Sequence, residues 1–195
     1  MFYLFFCFCL IQRLAELVLS KRNQNFLKAD GFSPKEENQA LGVMILLHTV
    51  WFFGMLVEPL LIPRAQSGEV VYSAAAVFIL AQILRVWTMQ SLGRHWNIAV
   101  WAPEGPSNLK YKDTRVDFVS AGPYKFIRHP NYLVVMVEFL ALPMMGGAYF
   151  TAAVCSILNI VVLWRRIQLE EKYLFSRIGY RETMGRKARF IPGVI

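Results

Sequence analysis

The chain has 195 residues and a formal net charge of +8, with 56% hydrophobic residues and only 17% charged, where an ordinary globular domain carries about 25% charged residues. This composition excludes a disordered tail, and because the apolar residues collect into blocks long enough to cross a bilayer, it points to an integral membrane protein. The basic residues flank those blocks instead of forming one stripe, which argues for membrane orientation and against nucleic acid as a partner.

Taken in order, the blocks give five expected spans, at roughly 2–19, 41–62, 70–92, 132–146 and 149–165. The expected fold is therefore an all-α polytopic membrane protein. It forms a single integral membrane domain over 1–195, with three amino-terminal spans in 1–92 and a chemistry-bearing half in 93–195. Residues 2–11 resemble a signal-peptide core, yet no positive stretch precedes them and only Gln12-Arg13 follows, so the segment reads as a retained first span. Cys7, Cys9 and Cys155 all fall inside apolar blocks; they make neither a zinc nor a disulfide framework and read as buried small hydrophobes. Gly146-Gly147 leaves almost no loop between the last two spans, which predicts a tight antiparallel helical hairpin.

Loop charge sets the expected orientation. Four basic residues follow the first span, six lie between Arg94 and Arg128, and eight follow the fifth span, so eighteen of the 21 fall on one side and only Arg64 on the other. The positive-inside rule then puts the amino terminus outside and the long loop and carboxyl tail together in the cytoplasm, in the plasma or inner membrane if the source is prokaryotic.

Polar residues inside spans are costly unless partnered. Arg13 and Glu16 are spaced for a local ion pair near the membrane edge. His48 and Glu58 lack a metal-ligand spacing and read as satisfied packing residues. Arg85 is placed to snorkel, and Glu138 and Asn159 to act as interhelical glue if the hairpin brings them together.

The carboxyl half carries the chemistry. Within Gly122-Pro123-Tyr124-Lys125-Phe126-Ile127-Arg128-His129-Pro130-Asn131-Tyr132, the glycine and proline make a turn and Pro130 suits the first turn of a helix. Free amides of that helix start, with Arg128 and His129, then face any anion at the membrane edge. The same residues also suit an interfacial anchor, and spacing alone does not separate the two. Beyond the fifth span, Arg166 and Glu170 lie four apart on one helix face, with Asn159 seven residues earlier on the same stripe. A solvated salt-bridged exit is the simpler account of an isolated pair. The short hairpin, which brings the pair toward Arg128-His129-Pro130, favours a functional one.

At these residues the chain resembles the isoprenylcysteine carboxyl methyltransferase family of membrane enzymes. The resemblance runs over residues 92–195: Leu92-Gly93-Arg94-His95-Trp96-Asn97, the Gly-x-Tyr and Arg-His-Pro-x-Tyr stretch, the Arg-x-x-x-Glu exit and Arg189-Phe190-Ile191-Pro192. Arg13-Leu14-Ala15-Glu16-Leu17 and Ser20-Lys21-Arg22-Asn23 look like a bacterial branch associated with methylation of alkylpyrone hydroxyls. The resemblance implies S-adenosylmethionine as methyl donor, held by Tyr124, His129, Pro130, Asn131 and Tyr132 and by the backbone of Val116, Asp117, Phe118 and Val119. It implies Arg166 and Glu170 as the catalytic pair, no metal, and a lipophilic or lipidated acceptor with membrane lipid as the other partner. Arg166 would fix an acceptor carboxylate or enolate. Glu170 would orient Arg166, contact the donor, or act as base toward a neutral hydroxyl.

Two stretches depart from the family pattern. The tail between Gly179 and Gly185 is shorter and keeps only Tyr180, and the loop from Trp101 to Arg115, with Lys110-Tyr111-Lys112, looks long. The expected function is thus methyl transfer from S-adenosylmethionine to the carboxylate or hydroxyl of a lipophilic acceptor entering from the bilayer. The alternatives are an NADPH-dependent reductase, since sterol-type reductases resemble the family's helical core, and a non-enzymatic scaffold or lipid-binding protein. Acceptor identity and oligomeric state have no signature in the sequence.

Overall fold

The computed structural model describes residues 1–35, 38–103 and 118–193. Among these residues, six α-helices and one short strand pair follow in order: α1 Phe2–Ala29, β1 Phe32–Pro34, α2 Asn38–Leu61, α3 Gly68–Leu92, β2 Trp101–Pro103, α4 Pro130–Met145, α5 Tyr149–Leu174 and α6 Tyr180–Met184. Among the described residues four helices, α1, α2, α3 and α5, are long and apolar enough to cross a membrane. Their outward faces are greasy, with Leu4, Val18, Leu60 and Ile83 all exposed, the pattern of helices whose solvent is lipid.

The fourth expected span differs. α4 has 16 residues, about 24 Å at 1.5 Å per residue against a hydrocarbon core of about 30 Å. It is instead the central helix, lying along α3 on one side and α5 on the other, with Val134, Glu138, Phe139 and Leu142 fully buried. A three-residue turn joins it to α5, and the positive φ of 75° at Gly147 lets the chain reverse there. The predicted hairpin therefore forms. Pro143 has no N–H to give Phe139, four residues back in α4. The indole of Trp51 in α2 fills the vacancy, donating to the Phe139 carbonyl at 3.1 Å while its ring stacks on Phe139 at 4.5 Å.

The polar residues of the spans are tied together across helices. Arg85, 1% exposed, donates to Glu16 at 2.8 Å and to Glu138 at 2.5 and 3.1 Å. Arg13 donates to Glu16 at 2.9 Å and also to Glu138. Two guanidinium groups and two carboxylates from α1, α3 and α4 thus balance one another. Arg85 does not snorkel, because its counterions lie inside, and the Arg13–Glu16 pair is one edge of a buried quartet instead of a feature of the membrane edge. Glu138 and Asn159 do not serve one another as glue: Glu138 is taken up by the arginines and Gln82, and the buried Asn159 Nδ2 has no partner among the described residues.

Glu58 closes the other end of the molecule. Its carboxylate accepts from the Phe150 and Thr151 amides at 2.9 and 2.7 Å and from Arg64 at 2.5 Å, so α2 caps the start of α5. Cys9 and Cys155 are buried as expected, but Cys7 lies on the exposed face of α1. At the opposite end β1 pairs antiparallel with β2, Ser33 facing Ala102. Asn23 of α1 donates to the Trp96 carbonyl at 2.7 Å. These ties hold residues 93–103 across the mouth of the bundle.

Candidate active site

The turn over Gly122-Pro123-Tyr124-Lys125 docks on the end of α3. Gly122 has φ of +59°, and a Cβ there would come within 2.0 Å of the Ser91 hydroxyl, so only glycine makes this approach. The chain then reaches α4 through Arg128 and His129, whose amides donate to the Ala188 and Arg189 carbonyls at 2.9 and 3.0 Å. The tail is in this way strapped along the helix start. Pro130 occupies the first turn of α4, where its missing N–H costs nothing.

Glu171 organises the strap. It accepts from His129 Nε2 at 3.0 Å and Arg189 Nη2 at 2.7 Å, and lies 3.0 Å from Arg128 Nη1. This hydrogen bonding holds the Arg189 guanidinium charged, above its ordinary value. Sequence reasoning passed over Glu171 in favour of Glu170. The signal available was the Glu170-Glu171 dipeptide itself: adjacent residues on a helix point about 100° apart, so one of the two turns inward to the strap.

Glu170 turns the other way and accepts the Tyr132 hydroxyl at 2.6 Å, with His129 Nδ1 at 3.9 Å. Arg166 lies one turn earlier, buried, its guanidinium carbon 5.9 Å from the Tyr132 ring centroid. It donates to the Ile98 carbonyl and the Met44 sulfur. The hairpin therefore does bring Arg166 and Glu170 to the Arg-His-Pro turn. The two reach different partners, however, and it is Tyr132, not Arg166, that the Glu170 carboxylate holds.

The side chains that turn inward from these elements face a cavity of about 800 Å³. Tyr124, His129, Asn131, Tyr132, Arg166 and Glu170 line its polar end. Leu10, Leu14, Leu17 of α1 and Ile45, Phe52 of α2 line an apolar lobe that runs into the membrane-spanning part. Phe118 and Val119 also line the polar end, whereas Val116 and Asp117, and the loop with Lys110-Tyr111-Lys112, lie outside the described residues. Pro130 is buried and does not line the cavity; its part is to open the helix. Tyr180, the tyrosine left in the short tail, does line it, its ring edge-on to Phe118 at 5.0 Å. Burial, with Glu170 nearby, pushes the Tyr124 and Tyr180 phenols above their ordinary values, so both remain neutral hydroxyls.

The polar end fits a ligand such as S-adenosylmethionine. Asn131 Oδ1 is buried there with no hydrogen-bond partner among the described residues, and it suits an amino or hydroxyl donor. Tyr124 and Tyr132 add aromatic wall, and the Glu170 carboxylate adds negative charge toward a cationic ligand. Among the described residues no group of His, Cys, Asp and Glu is arranged to hold a metal ion.

A model of the isoprenylcysteine carboxyl methyltransferase (ICMT) family matches residues 74–176. The uncharacterized protein YpbQ of Bacillus subtilis (strain 168) is 34% identical over 174 residues, a stretch that covers 89% of this chain and 96% of that protein.

Proposed function

We propose that this chain, which belongs to the isoprenylcysteine carboxyl methyltransferase family of membrane methyltransferases, moves a methyl group from S-adenosylmethionine to a carboxylate or hydroxyl oxygen of a lipophilic acceptor. The observation that carries this reading is a continuous cavity whose polar end and apolar lobe meet at Arg166 and Tyr132. Bound there, the donor would supply a methyl group on a sulfonium. The chain's own residues would position and desolvate. His129, Asn131 and Tyr132 would hold the donor from the start of α4, with Tyr124 and Tyr180 as its walls. Arg166 would face the acceptor oxygen with a charge-assisted hydrogen bond. With an anionic oxygen, either a carboxylate or a hydroxyl whose proton Glu170 would take, the oxygen and the sulfonium lose charge together, and a site closed to water favours the transfer. The lobe between α1 and α2 would take the acceptor's apolar chain from the bilayer.

Donor binding is tested by titrating S-adenosylmethionine and NADPH against the detergent-solubilised protein. S-adenosylmethionine should bind and NADPH should not, and His129→Ala should weaken the donor about tenfold, the scale of one hydrogen bond to a charged or polar ligand group. Unchanged affinity in a folded His129→Ala protein returns the Arg-His-Pro turn to an interfacial anchor. The proposed orientation, amino terminus outside and carboxyl tail cytoplasmic, puts the polar end where the donor is made. A reporter fused after Ile195 should be active only in the cytoplasm; activity only outside would invert the topology.

A further inference from the structure

His48 has no part in the chemistry above. Its Nδ1 lies 2.8 Å from the Met44 carbonyl oxygen, one turn earlier in α2. A carbonyl only accepts, so the proton sits on Nδ1 and the lone pair on Nε2. The ring is held in place by Phe139, edge-on at 4.9 Å, with Trp51 at 6.4 Å. Both of those rings are fully buried. Nε2 has no hydrogen-bond partner among the described residues, and His48 lines the cavity wall beside Ile45, Thr49 and Phe52. A fixed imidazole lone pair on the wall of an apolar lobe is costly unless some group donates to it.

Its position relative to Arg166 says which group. Arg166 donates to the sulfur of Met44, the residue whose carbonyl holds His48, and Met44 and His48 lie one turn, about 5.4 Å of helix rise, apart along α2. That is about the width of one ring. A head group held at Arg166 would present its far edge to this stretch of α2, which lines the same cavity. Arg13, Glu16 and Arg85 also line this part of the cavity, but their charges are matched within the quartet completed by Glu138. The lone pair of His48 is therefore a polar contact open to an uncharged donor in this part of the cavity.

We infer that His48 is a specificity-determining residue whose Nε2 accepts a hydrogen bond from an O–H on the acceptor's head group, favouring a hydroxyl-bearing lipophile over the matching ether. This rests on reading the lobe as the acceptor site. An ether offers no proton to this lone pair. Binding is measured without donor, on the detergent-solubilised protein, with a dodecyl-chain phenol and its methyl ether. The unaltered protein should bind the phenol about tenfold more tightly than the ether, the effect of one hydrogen bond in a desolvated pocket. His48→Phe should erase the preference while still binding both, and His48→Gln, which keeps an acceptor oxygen, should restore part of it. Gel filtration in detergent verifies the fold of each variant. Equal binding of phenol and ether by the unaltered protein, or a full preference retained by His48→Phe, overturns the assignment. S-adenosylmethionine titrated into the same preparation separates the two readings. A hydroxyl preference that depends on His48, in a protein that binds no donor, upholds the role of His48 and removes the methyl-transfer chemistry.

Discussion

Replacing Arg166 by Ala, or Glu170 by Gln, should lower single-turnover methyl transfer by about two orders of magnitude, the scale for removing a positioned charged group from a desolvated site. The acceptor for this measurement is found by radiolabelled methyl transfer to extracted membrane lipids, and the donor is held at saturation. Arg166 is fixed by the Ile98 carbonyl and the Met44 sulfur, so its guanidinium is held in place before the acceptor arrives. Its effect should therefore fall on turnover far more than on donor affinity. Glu170→Gln is the sharper test, since an amide oxygen still accepts the Tyr132 hydroxyl bonded to Glu170 at 2.6 Å. What the variant loses is charge, and with it the attraction for a sulfonium or the capacity to take a proton. A solvated ion pair at a helix exit would predict almost no change. Near-normal rates in both folded variants would remove Arg166 and Glu170 from the chemistry.

The order and length of the helices were legible because hydropathy needs no knowledge of neighbours. The four long apolar helices follow the blocks read from the sequence, although α1 runs on to Ala29 and α5 to Leu174. Even the shortness of α4 was on the page. Its central place was not, because that depends on how α1, α3 and α5 rotate about it. The gathering of His129, Tyr132, Arg166 and Glu170 was legible for a local reason: a hairpin with almost no loop leaves the two helix ends nowhere else to go. Long-range partners were not. Arg13 and Arg85 both have a simple local reading, and nothing in the spacing of residues on three separate helices says that they share Glu138. The pairing of β1 with β2 was equally hidden, since three-residue strands carry no periodicity to detect. The role of His48 needed the Met44 carbonyl, Phe139 and the cavity wall together.

The buried quartet carries the largest expected effect on stability. Glu138 is fully buried and holds both Arg85 and Arg13. Glu138→Leu leaves two guanidinium groups with the single carboxylate of Glu16, deep among apolar side chains. Breaking a buried pair by removing one partner costs about 3–5 kcal/mol, because the remaining charge keeps its desolvation penalty and loses its compensation. Removing Arg85 as well restores neutrality: Arg13 and Glu16, three residues apart at 2.9 Å, remain as a complete pair. Glu138→Leu with Arg85→Leu should therefore be more stable than Glu138→Leu alone, although two residues rather than one have been replaced, with a coupling of at least about 1 kcal/mol. Denaturant unfolding of the detergent-solubilised variants measures both quantities. Additive losses would mean that Glu138 and Arg85 act as separate packing residues. A recovered double variant would mean that α1, α3 and α4 are joined by charge balance, and that the wall beside His48 stays electrically neutral for this reason.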